Sequence, residues 1–317
     1  MCTAINETVG RHIFGRTLDL ECSLGESVVI TPRRFPLFFL HTRELRQHYA
    51  LIGTAHIMEG VPLYYDAANE EGLCAAALNF PLFARYLPPS REERSLASFE
   101  VIPRVLATAK NVEEAIRFLS NARITDESVS ARLAPTPLHW IFADKSAAIT
   151  VEQGEGGLKI HDNPYGVLTN SPDFPSQTYN LERYLHIILG KETAEGMHSR
   201  GLCDFGIPGD ATSGSRLVRA LFTKMRAIPE SEKTAALSRF FHIMESISQQ
   251  DGLTCAEDGR AIRTVYTSAI DTAAMEYCFT TYENRRIRSV KLAGREADGE
   301  DLITFSIEGG EDILRLN

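Results

Sequence analysis

Cys2 follows Met1 directly, so loss of the methionine leaves one residue carrying both a thiol and a free α-amine. That pair suits acyl transfer. The thiolate is the nucleophile, yet a free thiol of pKa about 8.5 is only a few per cent ionised at neutral pH. An α-amine of pKa about 7.7–8.0 is partly neutral there and accepts the thiol proton. A neighbouring guanidinium favours the anion further. Residues 2–6 and 12–18 read as strands, and Glu7-Thr8-Val9-Gly10-Arg11 between them reads as a turn in which Gly10 takes positive φ. A turn centred on Val9-Gly10 pairs residues whose numbers sum to about 19. Cys2 is then opposite Thr17, with Arg16 and Leu18 on either side, to within one residue. Asp19 is three positions from Arg16 and faces the other way in a regular strand, so a bend or bulge is expected if both serve one site. A cysteine buried on a strand by chance fits the same facts.

The elements that must position this hairpin follow in order. Val28-Val29-Ile30-Thr31 is a short strand stopped by Pro32, and residues 51–58 and 63–66 have β-type composition. Leu73-Cys74-Ala75-Ala76-Ala77-Leu78 suits a strand buried on both faces, and it ends at Asn79-Phe80-Pro81. Residues 99–109 and 112–121 show helical spacing, with Asn111 as N-cap of the second. Strands return at 138–143, 148–152 and 158–161. Gly154-Glu155-Gly156-Gly157 is a hairpin turn and not a phosphate loop, because no Gly-Lys-Ser/Thr follows. Gly166-Val167-Leu168-Thr169 leads into Asn170-Ser171-Pro172. Helices are expected at 181–189, 213–226 and 232–248, then strands at 263–268, 275–281, 286–292 and 302–307. With no repeat and no low-complexity linker, the alternation predicts a layered α+β body, one domain over residues 1–317.

Composition narrows the function. A charge of 33 − 42 = −9 and the lack of a basic run argue against nucleic acid as the main partner. Six cysteines, none in a C-x-x-C pair, fit a reduced, cytoplasmic setting. Polar residues interrupt the N-terminus, so no signal-peptide core is present, and the longest apolar run, 35–40, is too short to span a bilayer. Neither H-E-x-x-H, nor zinc-ligand Cys/His spacing, nor G-x-S-x-G, nor S-x-x-K occurs. His56 and His139, in strand-like stretches, read as hydrogen-bonded core residues rather than ligands.

Three polar residues remain. Asn79 and Asn170 each follow a buried-looking strand, and Arg216 lies near the start of a helix. A tetrahedral intermediate needs donors aimed at its oxyanion, which an Asn amide or a strand-end N–H supplies. Taken singly, the asparagines are turn formers and Arg216 a surface cation. Together with Met1-Cys2-Thr3, Gly15-Arg16-Thr17-Leu18-Asp19, Ala77-Leu78-Asn79-Phe80-Pro81, Gly166-Val167-Leu168-Thr169-Asn170-Ser171-Pro172 and Ser215-Arg216, they resemble the choloylglycine hydrolase family. This N-terminal-nucleophile group holds bile salt hydrolases and penicillin V acylases. Leu138-His139-Trp140-Ile141-Phe142-Ala143-Asp144 and Tyr282-Glu283-Asn284 are similar to it as well, so the likeness runs from residue 2 past residue 290.

The resemblance implies a four-layer αββα sandwich with Cys2 as nucleophile and its α-amine as base. Arg16 and Asp19 would hold thiol and amine, Asn170 and the strand end at Asn79 would form the oxyanion hole, and Arg216 would add positive charge near the thiolate. It implies a small-molecule amide substrate, no metal or organic cofactor, and a homotetramer. Asn79 resembles the bile salt hydrolase branch, where penicillin V acylases often carry tyrosine. Two departures touch the acyl pocket: Leu18 stands where bile salt hydrolases usually have methionine, and the common tryptophan after Asn170 is missing. The expected activity is hydrolysis of glycine- or taurine-conjugated bile acids. Penicillin V or another N-acyl amide is the alternative within the family, and a non-enzymatic thiol protein for binding or redox chemistry the alternative outside it.

Overall fold

The computed structural model describes residues 1–91, 94–130, 134–190, 205–256 and 258–317, so Cys203 lies outside the described residues. The N-terminal hairpin forms as β1 (Cys2–Glu7) and β2 (Ile13–Leu20). Its register runs from Cys2 opposite Leu18 to Glu7 opposite Ile13, a sum of 20. The expected pairing is therefore off by one, because the loop 8–12 centres on Gly10 (φ +80°) and not on the Val9-Gly10 bond. The shift matters, since one residue exchanges the two faces of a strand. It puts Cys2 on the face of Leu18 and Arg16 and leaves Thr17 and Asp19 on the other.

β1 and β2 lie inside an antiparallel sheet in the order Val167–Leu168, β1, β2, Ala261–Asp271, Glu276–Thr281, Asn284–Lys291. A second antiparallel sheet runs Gly157–Asp162, Ala148–Gly154, Leu138–Ala143, Cys74–Asn79, Val61–Asn69, Leu51–Met58, Ser27–Thr31, Ile303–Ser306. The sheets face each other through Cys2, Ala4, Phe14 and Leu18 on one side and Ile30, Ile52, Ala76, Leu78 and Ile141 on the other. Helices Val101–Thr108 and Val112–Leu119 cover the outer face of the second sheet, against Ala75, Ala77, Trp140 and Phe142. Helices Ser213–Arg226 and Lys233–Glu245 cover the outer face of the first, against Ile5, Ile13 and Ala269. The layers are α, β, β, α, as expected.

Local chemistry explains most boundaries. Asn111 caps its helix by accepting from the Glu114 amide at 3.0 Å. Gly15 permits close layering, since a Cβ there would lie 2.0 Å from the Ser268 carbonyl oxygen and 2.8 Å from the Phe240 ring. The segment read as one helix over 181–189 is two, Phe174–Glu182 and Leu185–Leu189. The first begins just after Asp173, with Pro175 within its opening turn, where a missing N–H costs nothing. Two short pairs were not expected: Leu37–Phe39 with Thr42–Leu45, and Arg94–Ala97 with Ala122–Thr125, the latter parallel.

His12 closes the hairpin loop onto its neighbours. Nε2 donates to Asn6 Oδ1 (2.8 Å), and Nδ1 accepts from Thr272 Oγ1 (2.7 Å), which a neutral ring satisfies fully. Burial pushes this imidazole down to about 4, over the opposing pull of Asp144 and Asp271. Between about 6.5 and 4 the unfolded chain therefore binds the extra proton, and stability falls as pH falls through that window. We expect the stability of the parent, relative to His12→Gln, to drop by about 3 kcal/mol between pH 7 and pH 4. Urea midpoints at both pH values test this, and a pH-independent difference would refute it.

Candidate active site

Cys2 is the first residue of β1 and is 3% exposed. Its main-chain nitrogen donates to Asn170 Oδ1 at 2.7 Å. The same oxygen accepts from Arg216 Nη2 at 2.8 Å. Asn170 Nδ2 spends one proton on the main-chain oxygen of Asn79, 2.8 Å away. One amide thus joins the end of β1, the helix carrying Arg216 and the end of strand Cys74–Asn79, and it keeps a second N–H in hand.

Arg216 is no surface cation. It is fully buried, with Nη1 donating to Cys2 O (2.5 Å) and Thr3 Oγ1 (2.6 Å) and Nε to Ala211 O (3.0 Å). Thr212 caps this helix, accepting from the Ser215 amide, and so fixes where Arg216 begins its reach. Burial lowers the Arg216 pKa, while Asp19 and Cys2 oppose that shift.

Arg16 enters from the opposite face, between the sheets, and is also fully buried. Its Nη1 donates to Ala77 O (2.7 Å) and Tyr65 O (3.0 Å) of the second sheet, and Nε to Thr17 O (3.1 Å). Nη2 has no hydrogen-bond partner among the described residues. Burial works against this charge, but Cys2, Tyr266, Asp66 and Asp19 outweigh it and the pKa rises.

Asp19 lies on the other face of β2 from Arg16. Its carboxylate accepts from Thr264 Oγ1 (2.7 Å) and Thr17 Oγ1 (3.2 Å). Burial raises its pKa against the pull of Arg216 and the N-terminus. The bend or bulge expected between Arg16 and Asp19 does not occur in the hairpin, since β1 and β2 pair without a break; the register shift beside them is in the adjoining strand, between Thr264 and Tyr266. No distortion of β2 is needed, because Cys2 ends its strand and is approached from both faces. Met1 continues that pairing: its amine donates to Asp19 O (2.7 Å), and Asp19 N donates to Met1 O (3.0 Å).

All six residues singled out from sequence therefore cluster around the end of β1. Cys2, Arg16 and Asn79 also line a cavity of about 440 Å³, within the ~300–1,000 Å³ of small-molecule sites. Leu18, Leu20, Met58, Phe99 and Val129 give it apolar walls. The chemistry available is nucleophilic attack on a carbonyl at the rim of an apolar pocket. Among the described residues, no group of three or more His, Cys, Asp or Glu is placed to hold a metal ion.

Sequence reasoning missed two supports. Asp66 is fully buried beside Arg16 and accepts from Ser268 Oγ (2.9 Å), Tyr277 Oη (2.8 Å) and Tyr266 Oη. Its signal was a lone carboxylate inside an otherwise apolar strand. Ser213 Oγ accepts from Asn170 N (3.0 Å) and donates to Asn170 O (2.9 Å), so it fixes that loop; nothing local in sequence announces a contact 43 residues away.

Residues 2–305 match the profile of the linear amide C–N hydrolases, choloylglycine hydrolase family. The chain is 39% identical to a bile salt hydrolase/transferase of Lactiplantibacillus plantarum, with both chains covered completely. It is 33% identical to a conjugated bile acid hydrolase of Lactobacillus gasseri, over 96% of this chain and 100% of that one. Among solved structures, a variant of conjugated bile acid hydrolase from Clostridium perfringens superposes with a TM-score of 0.88 at 31% identity, over the full length of both chains. Penicillin V acylase from Agrobacterium tumefaciens shares the fold, with a TM-score of 0.77 at 20% identity over 96% of this chain and 91% of that one. With its cysteine behind Met1 and a matching fold along its length, the chain belongs to the choloylglycine hydrolase family of linear amide C–N hydrolases.

Proposed function

We propose that this chain hydrolyses the amide bond of glycine- or taurine-conjugated bile acids, with Cys2 as nucleophile and its freed α-amine as base. One observation carries the reading. The Cys2 nitrogen is held 2.7 Å from Asn170 Oδ1 beside an apolar cavity, in a chain 39% identical to a bile salt hydrolase/transferase. Once Met1 is gone, that nitrogen donates one proton to Asn170 and directs its lone pair elsewhere. It takes the Sγ proton as sulfur adds to the substrate carbonyl. The second Asn170 Nδ2–H and the strand end at Asn79 receive the oxyanion. The amine then gives its proton to the leaving nitrogen, the C–N bond breaks, and a thioester remains. Water adds to the thioester and releases the free acid and the thiol. Arg16 and Arg216 favour the thiolate from opposite faces, and Asp19 orients the amine. A cytoplasmic homotetramer of single-domain subunits completes the proposal, on the family resemblance and the free cysteines among the described residues.

Comparing kcat/KM on glycocholate, taurocholate and penicillin V tests the substrate, and a preference for penicillin V overturns the bile salt reading. The form retaining Met1 tests the base. An amide nitrogen lacks a basic lone pair, so that form should fold yet be nearly inactive, and comparable turnover by it would eliminate the α-amine. Asn170→Ala removes an oxyanion donor and should lower kcat by about 10²–10³. A kcat within about threefold of the parent refutes that role. Arg216→Gln should displace the pH profile of Cys2 alkylation to higher pH. An unmoved profile, with Cys2 confirmed as the labelled residue, means that Arg216 does not support the thiolate.

A further inference from the structure

His139 read from sequence as a core histidine with its hydrogen bonds satisfied, and it is one, with particular partners. It lies in the strand Leu138–Ala143, is fully buried and faces the space between the sheets. Its ring lies flat on Phe80, centroids 4.3 Å apart and planes 9° from parallel. Nε2 donates to the main-chain oxygen of Thr169 at 2.8 Å. Nδ1 meets Glu152 Oε1 at 3.0 Å. Glu152 in turn accepts from the Phe174 amide at 3.0 and 3.1 Å, where the helix after Asn170 begins.

The placement has a simple topology. Phe80 follows Asn79, and Thr169 precedes Asn170. A single rigid ring therefore contacts both segments whose ends carry the oxyanion donors, and Glu152 contacts the chain on the far side of Asn170. The Asn170 Nδ2 bond to Asn79 O, 2.8 Å long, crosses the same gap at the rim. From the helical layer, Ser213 and Gln177 hold the Asn170 main chain. His139 holds it from the other sheet. The ring makes no hydrogen bond to Cys2, Arg16 or Arg216 among the described residues.

We propose that His139 is a positioning residue that fixes Asn170 against Asn79, with Glu152 fixing the ring; this rests on the reading of Asn170 and Asn79 as oxyanion donors. An oxyanion site works only when its donors are preset to the position the oxygen will occupy, so a small shift of one segment lowers the rate while binding persists. Alkylation of Cys2 by iodoacetamide needs the thiolate but forms no oxyanion. The two reactions therefore separate positioning of the donors from activation of the thiol.

The test uses the full chain with Met1 removed. His139→Leu deletes both polar bonds and should lower kcat on glycocholate by about 10²-fold. KM should stay within threefold, and so should the rate and pH profile of Cys2 alkylation. His139→Gln, which keeps a donor for Thr169 O, should recover part of the loss. Glu152→Gln, which leaves the ring in place but weakens its anchor, should give a smaller loss of the same kind and serves alone if His139→Leu does not fold. A kcat within threefold of the parent in the folded variants overturns the proposal, as does a parallel fall in alkylation. Cys2→Ser run alongside keeps the outcomes distinct. Undiminished turnover there overturns the nucleophile reading, whereas an inactive Cys2→Ser with normal His139 variants overturns only the positioning role.

Discussion

Arg16 carries a permanent charge into the space between the two sheets, where no solvent reaches it. A buried ion costs several kcal/mol unless its surroundings answer it, and removing one partner of a buried pair costs ~3–5 kcal/mol. The second sheet answers with the carbonyls of Tyr65 and Ala77, and Asp66 lies close enough to add to the pull that holds the Arg16 pKa up. Burial raises the pKa of Asp66, while Arg16 and the three hydroxyls of Tyr266, Tyr277 and Ser268 pull it back. Ser268 also accepts from the Arg16 main-chain nitrogen at 3.1 Å, so one hydroxyl bridges backbone and carboxylate. These bonds leave little freedom for the sheets to slide past one another beside the thiol. The unpaired Nη2 of Arg16 is what remains free for the site's chemistry.

Helices and strands were legible where periodicity was strong and caps were explicit. Ser213–Arg226 appears at the expected bounds, and Asn111 caps the helix it was assigned to. The short pairs at 37–45 and 94–97 were not legible, since three- and four-residue strands carry too little alternation to register. The hairpin shows a subtler limit. Its existence followed from Gly10 and the flanking strands, but its register depended on whether the turn centres on a residue or on a bond. Half a residue of turn centre decides whether Cys2 shares a face with Arg16 or with Asp19. Cys2 came from its place behind Met1 and Arg16 from the hairpin pairing, but the six were joined into one site through a family resemblance and not from spacing. Their supports, Asp66 and Ser213, act across long sequence separations that a single chain does not reveal.

The site divides its work between layers. Most of the apolar walls come from the second sheet and the segments beside it, with Leu18 and Leu20 added by β2, whereas the groups gathered on Cys2 come from β2, the Asn170 loop and the Arg216 helix. Pocket shape can therefore change without moving the polar constellation. Leu18 joins the two, for it pairs with Cys2 across the hairpin and also lines the cavity. A substitution there alters the cavity wall and the bed of the Cys2 thiol together.

Met1 sits within this sheet, paired through both its amine and its carbonyl with Asp19. An aminopeptidase needs the opposite, an N-terminus that is free and extended. The strand that secures β2 from its other side, Ala261–Asp271, is made some 240 residues later. At ~5–20 residues per second, translation leaves roughly 10–50 s in which the hairpin has only itself to pair with, and an isolated two-stranded hairpin is marginal in water. The late arrival of the central neighbour thus sets how long the N-terminus stays accessible. The N-terminal residue is most accessible while the chain is still on the ribosome, and a chain that completes its sheet closes that pairing around Met1.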